Sequence, residues 1–208
     1  MKKLIKAIFI DFAGVITKQG HFNHFIESAK DNTLSLNELQ ELYNAAKVGK
    51  ISESEYFDKV FVGSVLDESI SKFELKKGIL DFLQKNTLPI FIASNQVKRF
   101  EMFFLKKFGL VKYFNDIFIS SEIRLKKATP EFYQFILDKT EYNPKEVLFI
   151  DDLKANLVYP KEIGMKTIWV NNNDSAQRNK IDFNADYTIN SLTKLEKIIE
   201  ELTKPLIK

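Results

Sequence analysis

Two short apolar runs that end in carboxylates constrain this chain more than any other feature. Leu4, Ile5, Lys6, Ala7, Ile8, Phe9 and Ile10 read as a strand, Asp11 closes it, and Ala13-Gly14 breaks it. Val147, Leu148, Phe149 and Ile150 read as a second strand, closed by the pair Asp151-Asp152. Apolar runs of this length fit parallel strands covered on both faces. Open α/β sheets bind ligands outside the carboxyl ends of such strands, so the two acidic ends predict one composite site.

Further strands are expected at Leu88–Ser94, Asp116–Ser120, Lys166–Val170 and Asp186–Ile189, with helices between them. Thr129-Pro130 opens one of these helices, Thr as N-cap and Pro at the first helical position. Pro160, inside the helix after the acid pair, removes a backbone donor, so that helix is expected to start late or bend, displacing Asn156. Residues from about 17 to 74 show no convincing strand. Ser35/Glu38 and Ser52/Glu55 fit capping boxes, Leu39, Leu42, Tyr43 and Ala46 share a helix face, and Gly49 is placed to terminate that helix. The resulting expectation is a Rossmann-like α/β parallel-sheet core at 1–16 and 75–208, with an all-helical cap domain at 17–74 inserted after the first strand.

With 208 residues and a formal charge of +3, the chain can bury a real core. Its lysines are scattered, which argues against a nucleic-acid partner. No cysteine is present, which excludes disulfides, thiolate metal sites and cysteine nucleophiles and is compatible with a cytoplasmic location. Lys6 and Asp11 interrupt the first apolar stretch, so it reads as a strand and not as a secretory signal. No run approaches a membrane span.

Four pieces lie in order at predicted strand ends: Asp11 to Val15, Ala93-Ser94-Asn95, Lys127 ahead of Ala128-Thr129-Pro130, and Asp151 to Asn156. Together they resemble the four motifs of the haloacid dehalogenase-like (HAD) superfamily of hydrolases, over nearly the whole chain. The likeness is nearest to its small sugar-phosphate phosphatases with a helical cap. The resemblance implies an Mg²⁺-dependent phosphatase of a small phosphorylated metabolite, with sugar phosphates among the candidates. Asp11 would be the nucleophile, forming an aspartyl-phosphate. Asp11, the Ala13 carbonyl, Asp152 and nearby Asp151 would hold Mg²⁺. Ser94, Asn95, Lys127 and the first N–H groups of the helix after Ser94 would bind phosphate, with Asn156 in support.

One departure bears on activity. The family's common motif carries a general-acid Asp two residues after the nucleophile, and Ala13 stands there. Two alternatives follow. The phosphonate-cleaving branch has an Asp-x-Ala-Gly signature and a cap lysine that forms a Schiff base; Asp11-Phe12-Ala13-Gly14 fits the signature, and Lys47 or Lys50 falls in the right region. A catalytically silent relative that binds a phospho-ligand or a partner protein is the other. A dehalogenase activity would not call for the acid pair. His21 and His24 share a spacing of three but have no further ligand beside them, so a solvated or substrate-facing helix is expected there.

Overall fold

The computed structural model describes residues 4–18, 34–61, 73–172 and 178–204. Six parallel strands form one sheet: β1 (Ala7–Ile10), β2 (Ile90–Ser94), β3 (Asp116–Ile119), β4 (Val147–Asp151), β5 (Lys166–Val170) and β6 (Tyr187–Ile189). Their order, β3-β2-β1-β4-β5-β6, places β1 at the centre. Ile10 pairs with Ile150 on one side and Ile92 on the other, so Asp11, Asp151 and Ser94 emerge together at one sheet edge. The fold is α/β and Rossmann-like, as the alternation of strands and helices predicts.

Both sheet faces are apolar because the strands carry apolar residues in both registers. On one face Phe91, Phe9 and Phe149 stack in a row, with centroid separations of 5.0 and 6.5 Å about Phe9. Helices α6 (Pro130–Thr140) and α7 (Lys154–Glu162) cover them through Phe132, Tyr133, Ile136 and Leu157. On the other face Ile8, Ile10, Ile92 and Ile150 meet residues of α3 (Ile79–Lys85), α4 (Lys98–Lys107) and α8 (Leu195–Thr203).

Helices α1 (Leu36–Lys47) and α2 (Glu53–Val60) join that second cluster through Leu39, Tyr43, Tyr56 and Phe57. Tyr56 and Phe57 lie 6.0 and 5.0 Å from the Phe100 ring of α4. Ser35 and Glu38 form a full capping box, whereas Ser52 only accepts from the Glu55 N–H. Gly49 takes the left-handed conformation (φ +68°) behind α1. The chain leaves and re-enters the sheet layer side by side, with the Lys18 N–H on the Glu74 carbonyl (3.0 Å) and the Lys76 N–H on the Ile16 carbonyl (2.9 Å). His21 and His24 lie outside the described residues. Among the described residues no helix is long and apolar enough to cross a membrane.

Two local expectations are corrected. Thr129 precedes Pro130 as expected, yet its hydroxyl donates back to the Lys126 carbonyl (2.9 Å) and caps no helix N–H. Pro160 lies within α7, but the helix is not delayed: it starts at Lys154, directly after the acid pair, and Asn156 is well placed. The missing proline N–H would have bonded the Asn156 carbonyl, and the buried Tyr133 hydroxyl donates to that carbonyl instead, at 2.6 Å. Tyr133→Phe is therefore expected to cost about 1–3 kcal/mol by stranding a buried acceptor. In a Pro160→Ala background, where the helix N–H is restored, the cost should fall below about 1 kcal/mol; denaturant titration of the four-protein cycle measures this coupling.

Candidate active site

The site is built on the ammonium of Lys127. It donates to Asp11 Oδ1 at 2.5 Å and to Asp151 Oδ2 at 2.8 Å, and all three groups are buried. Burial works to lower the lysine's pKa, but Asp11 and Asp151 outweigh it and hold the value far above its ordinary level. The loop that delivers Lys127 is fixed from several sides. Asn95 Oδ1 accepts the Lys127 N–H (2.8 Å), the Tyr133 hydroxyl accepts the Ala128 N–H (3.1 Å), and Ala128 adopts φ +72°.

Ligand oxygens of Asp11, Asp151 and Asp152 lie within 4.8 Å of one another. Asp151 is fully engaged: its Oδ1 accepts from the Leu153 N–H (2.8 Å), its Oδ2 from Lys127, and both from Asn156 Nδ2 (3.0 and 3.1 Å). Asp152 faces Arg178, with Nη2 3.8 Å from Oδ2. Its backbone carbonyl is anchored by Trp169 Nε1 (3.0 Å) and Asn179 Nδ2 (2.9 Å). Among the described residues, three buried carboxylates share one buried lysine, with the exposed Arg178 at the edge of Asp152, so buried acid groups outnumber buried cations there. Burial raises Asp11 to about 6, with Lys127 opposing and Asp151 adding. Burial, reinforced by Asp11 and Asp151, raises Asp152 to about 8. A cluster of hard oxygen donors that is electrostatically unsatisfied fits a divalent cation such as Mg²⁺.

Behind Asp11 the chain turns sharply. The N–H groups of Ile16 and Thr17 converge on the Phe12 carbonyl at 2.8 and 3.1 Å, Gly14 takes φ +91°, and Asn172 Nδ2 binds the Gly14 carbonyl at 2.6 Å. Half-buried Ala13 stands in this turn and brings no acid.

Ser94 ends β2 fully buried. The N–H groups of Gln96, Val97 and Lys98 are each engaged within the protein, in place of the open row expected at the start of α4. Gln96 N–H donates to Ser120 Oγ (3.1 Å), Val97 N–H to Gln96 Oε1 (2.9 Å) and Lys98 N–H to Ser121 Oγ (3.0 Å). Gln96 Oε1 also accepts the Tyr43 hydroxyl at 2.7 Å, which ties α1 to the loop after Ser94. Lys47, one turn on from Tyr43, places its ammonium 4.5 Å from the Tyr43 ring centroid. Burial, with Lys126 and Arg178 repelling it, pushes its pKa down to about 8. Lys50 is exposed.

The structure thus gathers Asp11, Lys127, Asp151, Asp152 and Asn156, and places Ser94 and Asn95 beside them. The sequence reading places Tyr43 only on the apolar face of its helix and does not single out Gln96, Glu101, Tyr133 or Arg178. For Glu101 a signal existed: it shares the spacing of Phe104, Leu105 and Phe108, a charge on an otherwise apolar stripe.

Comparison with known proteins identifies the family and the fold. The family model described as "Haloacid dehalogenase-like hydrolase" matches residues 3–170. The chain belongs to the HAD-like hydrolases. This HAD-like hydrolase is 38% identical over 69 residues to mouse bifunctional epoxide hydrolase 2, a match that covers 33% of the chain and only 12% of that protein. It is 23% identical over 190 residues to the D-ribitol-5-phosphate phosphatase of Bacteroides thetaiotaomicron, covering 79% of this chain and 91% of that one. Among solved structures, a point mutant of the HAD family enzyme bt-2542 from the same species, complexed with magnesium and inorganic phosphate, superimposes with a TM-score of 0.65. That match has 22% identity and covers 78% of this chain and 92% of the other. The L-2-haloacid dehalogenase of Xanthobacter autotrophicus shares the fold at a TM-score of 0.68, with 14% identity and coverage of 95% and 99%.

The electrostatics give a direct prediction for metal binding. Because Asp11 and Asp152 are raised, the apoprotein holds their protons to higher pH than the unfolded chain does. Their contribution to its stability is therefore full in acid and lost as pH rises through about 8. A divalent cation bound among these acids would compete with those protons, so added Mg²⁺ should raise the Tm more at pH 8 than at pH 5.5. Calorimetry in buffers of different ionisation enthalpy should detect release of about one proton per Mg²⁺ at pH 7 and almost none at pH 9.5.

Proposed function

We propose that this HAD-like hydrolase is a divalent-cation-dependent phosphatase of a small phosphorylated metabolite, with Asp11 as nucleophile. The observation that carries the reading is the buried excess of carboxylates at one sheet edge, with a single lysine bridging nucleophile and acid pair. A phosphate dianion approaches an aspartate only if its charge is compensated. Asp11, the Ala13 carbonyl and Asp152, with Asp151 alongside, would hold Mg²⁺, which supplies that compensation when bound.

In the proposed reaction a carboxylate oxygen of Asp11 attacks phosphorus while the bond from phosphorus to the leaving oxygen breaks. Water then attacks the aspartyl-phosphate, returning Asp11 and releasing inorganic phosphate. Lys127 neutralises charge on both the nucleophile and the phosphoryl oxygens, and Asn156 holds Asp151 where it receives Lys127. Ser94 and the Asn95 amide are the polar groups left to grip phosphate, since the N–H groups of Gln96, Val97 and Lys98 are occupied. The helices α1 and α2 would act as the cap that shields the edge from bulk water and selects the substrate.

Ala13 narrows the substrate class. Without a general acid the leaving oxygen must depart with little protonation, a loss otherwise worth ~10²–10⁴ in rate. Anomeric sugar phosphates and acyl phosphates satisfy that requirement. A second reading, phosphonate cleavage, is favoured by one observation: Lys47 is a part-buried amine with its pKa pushed down to about 8, the condition for a nucleophilic lysine near neutrality.

Phosphate release from a panel of sugar phosphates and acetyl phosphate, with Mg²⁺ and with EDTA, tests the first reading. Turnover should require the metal and fall by about a thousandfold or more in Asp11→Asn. Metal-independent turnover, or full activity in the mutant, would sink it. Borohydride trapping of phosphonoacetaldehyde on Lys47, lost in Lys47→Arg, would establish the second reading.

A further inference from the structure

Glu101 has no role in the reaction described above. It lies in the first turn of α4, seven residues after Ser94, and is 0% exposed. Among the described residues neither carboxyl oxygen makes a hydrogen bond of regular geometry, and the Ser94 hydroxyl lies near enough to act on one of them. A buried acid in that position is kept only if it is neutral or if it serves something. Burial pushes its pKa up to about 8; the nearby Ser94 hydroxyl opposes this, Asp11 adds to it and Lys127 opposes it. Tyr43, from α1, also interacts with its charge. Among the described residues these four groups act on it, from β2, the end of β1, the Lys127 loop and α1.

The chemistry of the pair depends on where one proton sits. A serine hydroxyl has one proton to give and two lone pairs to receive. If Glu101 is ionised, it takes the Ser94 proton, and the serine turns its lone pairs toward an incoming phosphate. If Glu101 is neutral, its own O–H can be given to Ser94 Oγ, and the serine proton is left for the phosphate.

We propose that Glu101 is a positioning residue for phosphate binding: as a neutral acid it donates to Ser94 Oγ and thereby aims the serine proton at the substrate phosphate. The role rests on the phosphatase reading of the site. It accounts for a buried carboxyl without a fixed partner, because the Glu101–Ser94 bond tightens when phosphate claims the serine proton. It also accounts for a carboxyl, and not an amide or an aliphatic side chain, behind the hydroxyl that ends β2.

Inorganic phosphate binding to the full chain in saturating Mg²⁺, measured by calorimetry at pH 7 and pH 9, tests this. Wild type should lose at least fivefold in affinity between the two pH values relative to Glu101→Gln, whose amide donates to Ser94 throughout. Lys47 and Asp152 titrate in the same window but are common to both proteins, so the ratio isolates Glu101. Glu101→Leu, which cannot donate, should bind phosphate at least fivefold more weakly than wild type at pH 7 while melting at an equal or higher temperature. Parallel pH profiles for wild type and Glu101→Gln, or wild-type affinity in Glu101→Leu, would overturn the positioning role. A fall in kcat without a change in KM in Glu101→Gln would also overturn it, by making Glu101 a proton-transfer group. If wild type binds no phosphate at either pH, the phosphatase reading itself fails and takes this role with it.

Discussion

The whole site depends on one buried ion triplet, in which the Lys127 ammonium lies between Asp11 and Asp151. Taking three charges out of water is costly, and the mutual attraction offsets that cost only with close geometry and hydrogen bonds on the remaining valences. Much of the local architecture supplies those conditions. The central position of β1 beside β4 brings the two acids together. Asn156, the Leu153 N–H, Asn95 and Tyr133 then fix the acid and the loop that carries the lysine. Even so the triplet is not neutral, and Asp152 adds a further carboxylate at its edge. Burial first, and the neighbouring carboxylates after it, make Asp11 and Asp152 resist ionisation, and a dication is the natural complement.

The same accounting of polar groups explains how the helices α1 and α2 are coupled to the chemistry. Gln96 directly follows the Ser94-Asn95 pair, and its side chain is shared between the Tyr43 hydroxyl of α1 and the Val97 N–H at the mouth of α4. Ser120 continues the chain of contacts, accepting the Gln96 N–H and donating to the Lys47 carbonyl. The N–H groups ahead of α4 are thus spent on bonds between layers. In the reaction proposed, phosphate recognition would therefore fall more heavily on side chains, and the orientation of one serine proton would matter more than it would beside a row of free N–H groups.

The sheet was legible because its signals are local. Each strand is a short apolar run, bounded by a turn former or an acid, and the acids that end β1 and β4 were visible as such. What stayed hidden depends on partners distant in the chain. Pro160 reads as a helix breaker only until the Tyr133 hydroxyl is known to stand in for the lost donor. Thr129 reads as a cap until its hydroxyl is seen bonded to Lys126. The start of α4 reads as an anion site until Ser120 and Ser121, two dozen residues on, are found filling it. Composition and period carry no information about which of two competing hydrogen-bond partners wins; that is decided by packing.

Charge segregation links these details to the function proposed. On the sheet edge the acids outnumber their cation. On the side of α1, Lys47 feels burial first and then repulsion from Lys126 and Arg178, and its proton is loosened as a result. Each half is strained electrostatically in the opposite sense. A dication among the acids relieves one half, an anion near the lysines relieves the other, and Arg178, which lies 3.8 Å from Asp152 while repelling Lys47, belongs to both. In the function proposed, a metal-bound phosphate would relieve both halves, its negative oxygens on the side of Lys47 and Arg178 and its metal at Asp11 and Asp152. A neutral substrate would relieve neither half.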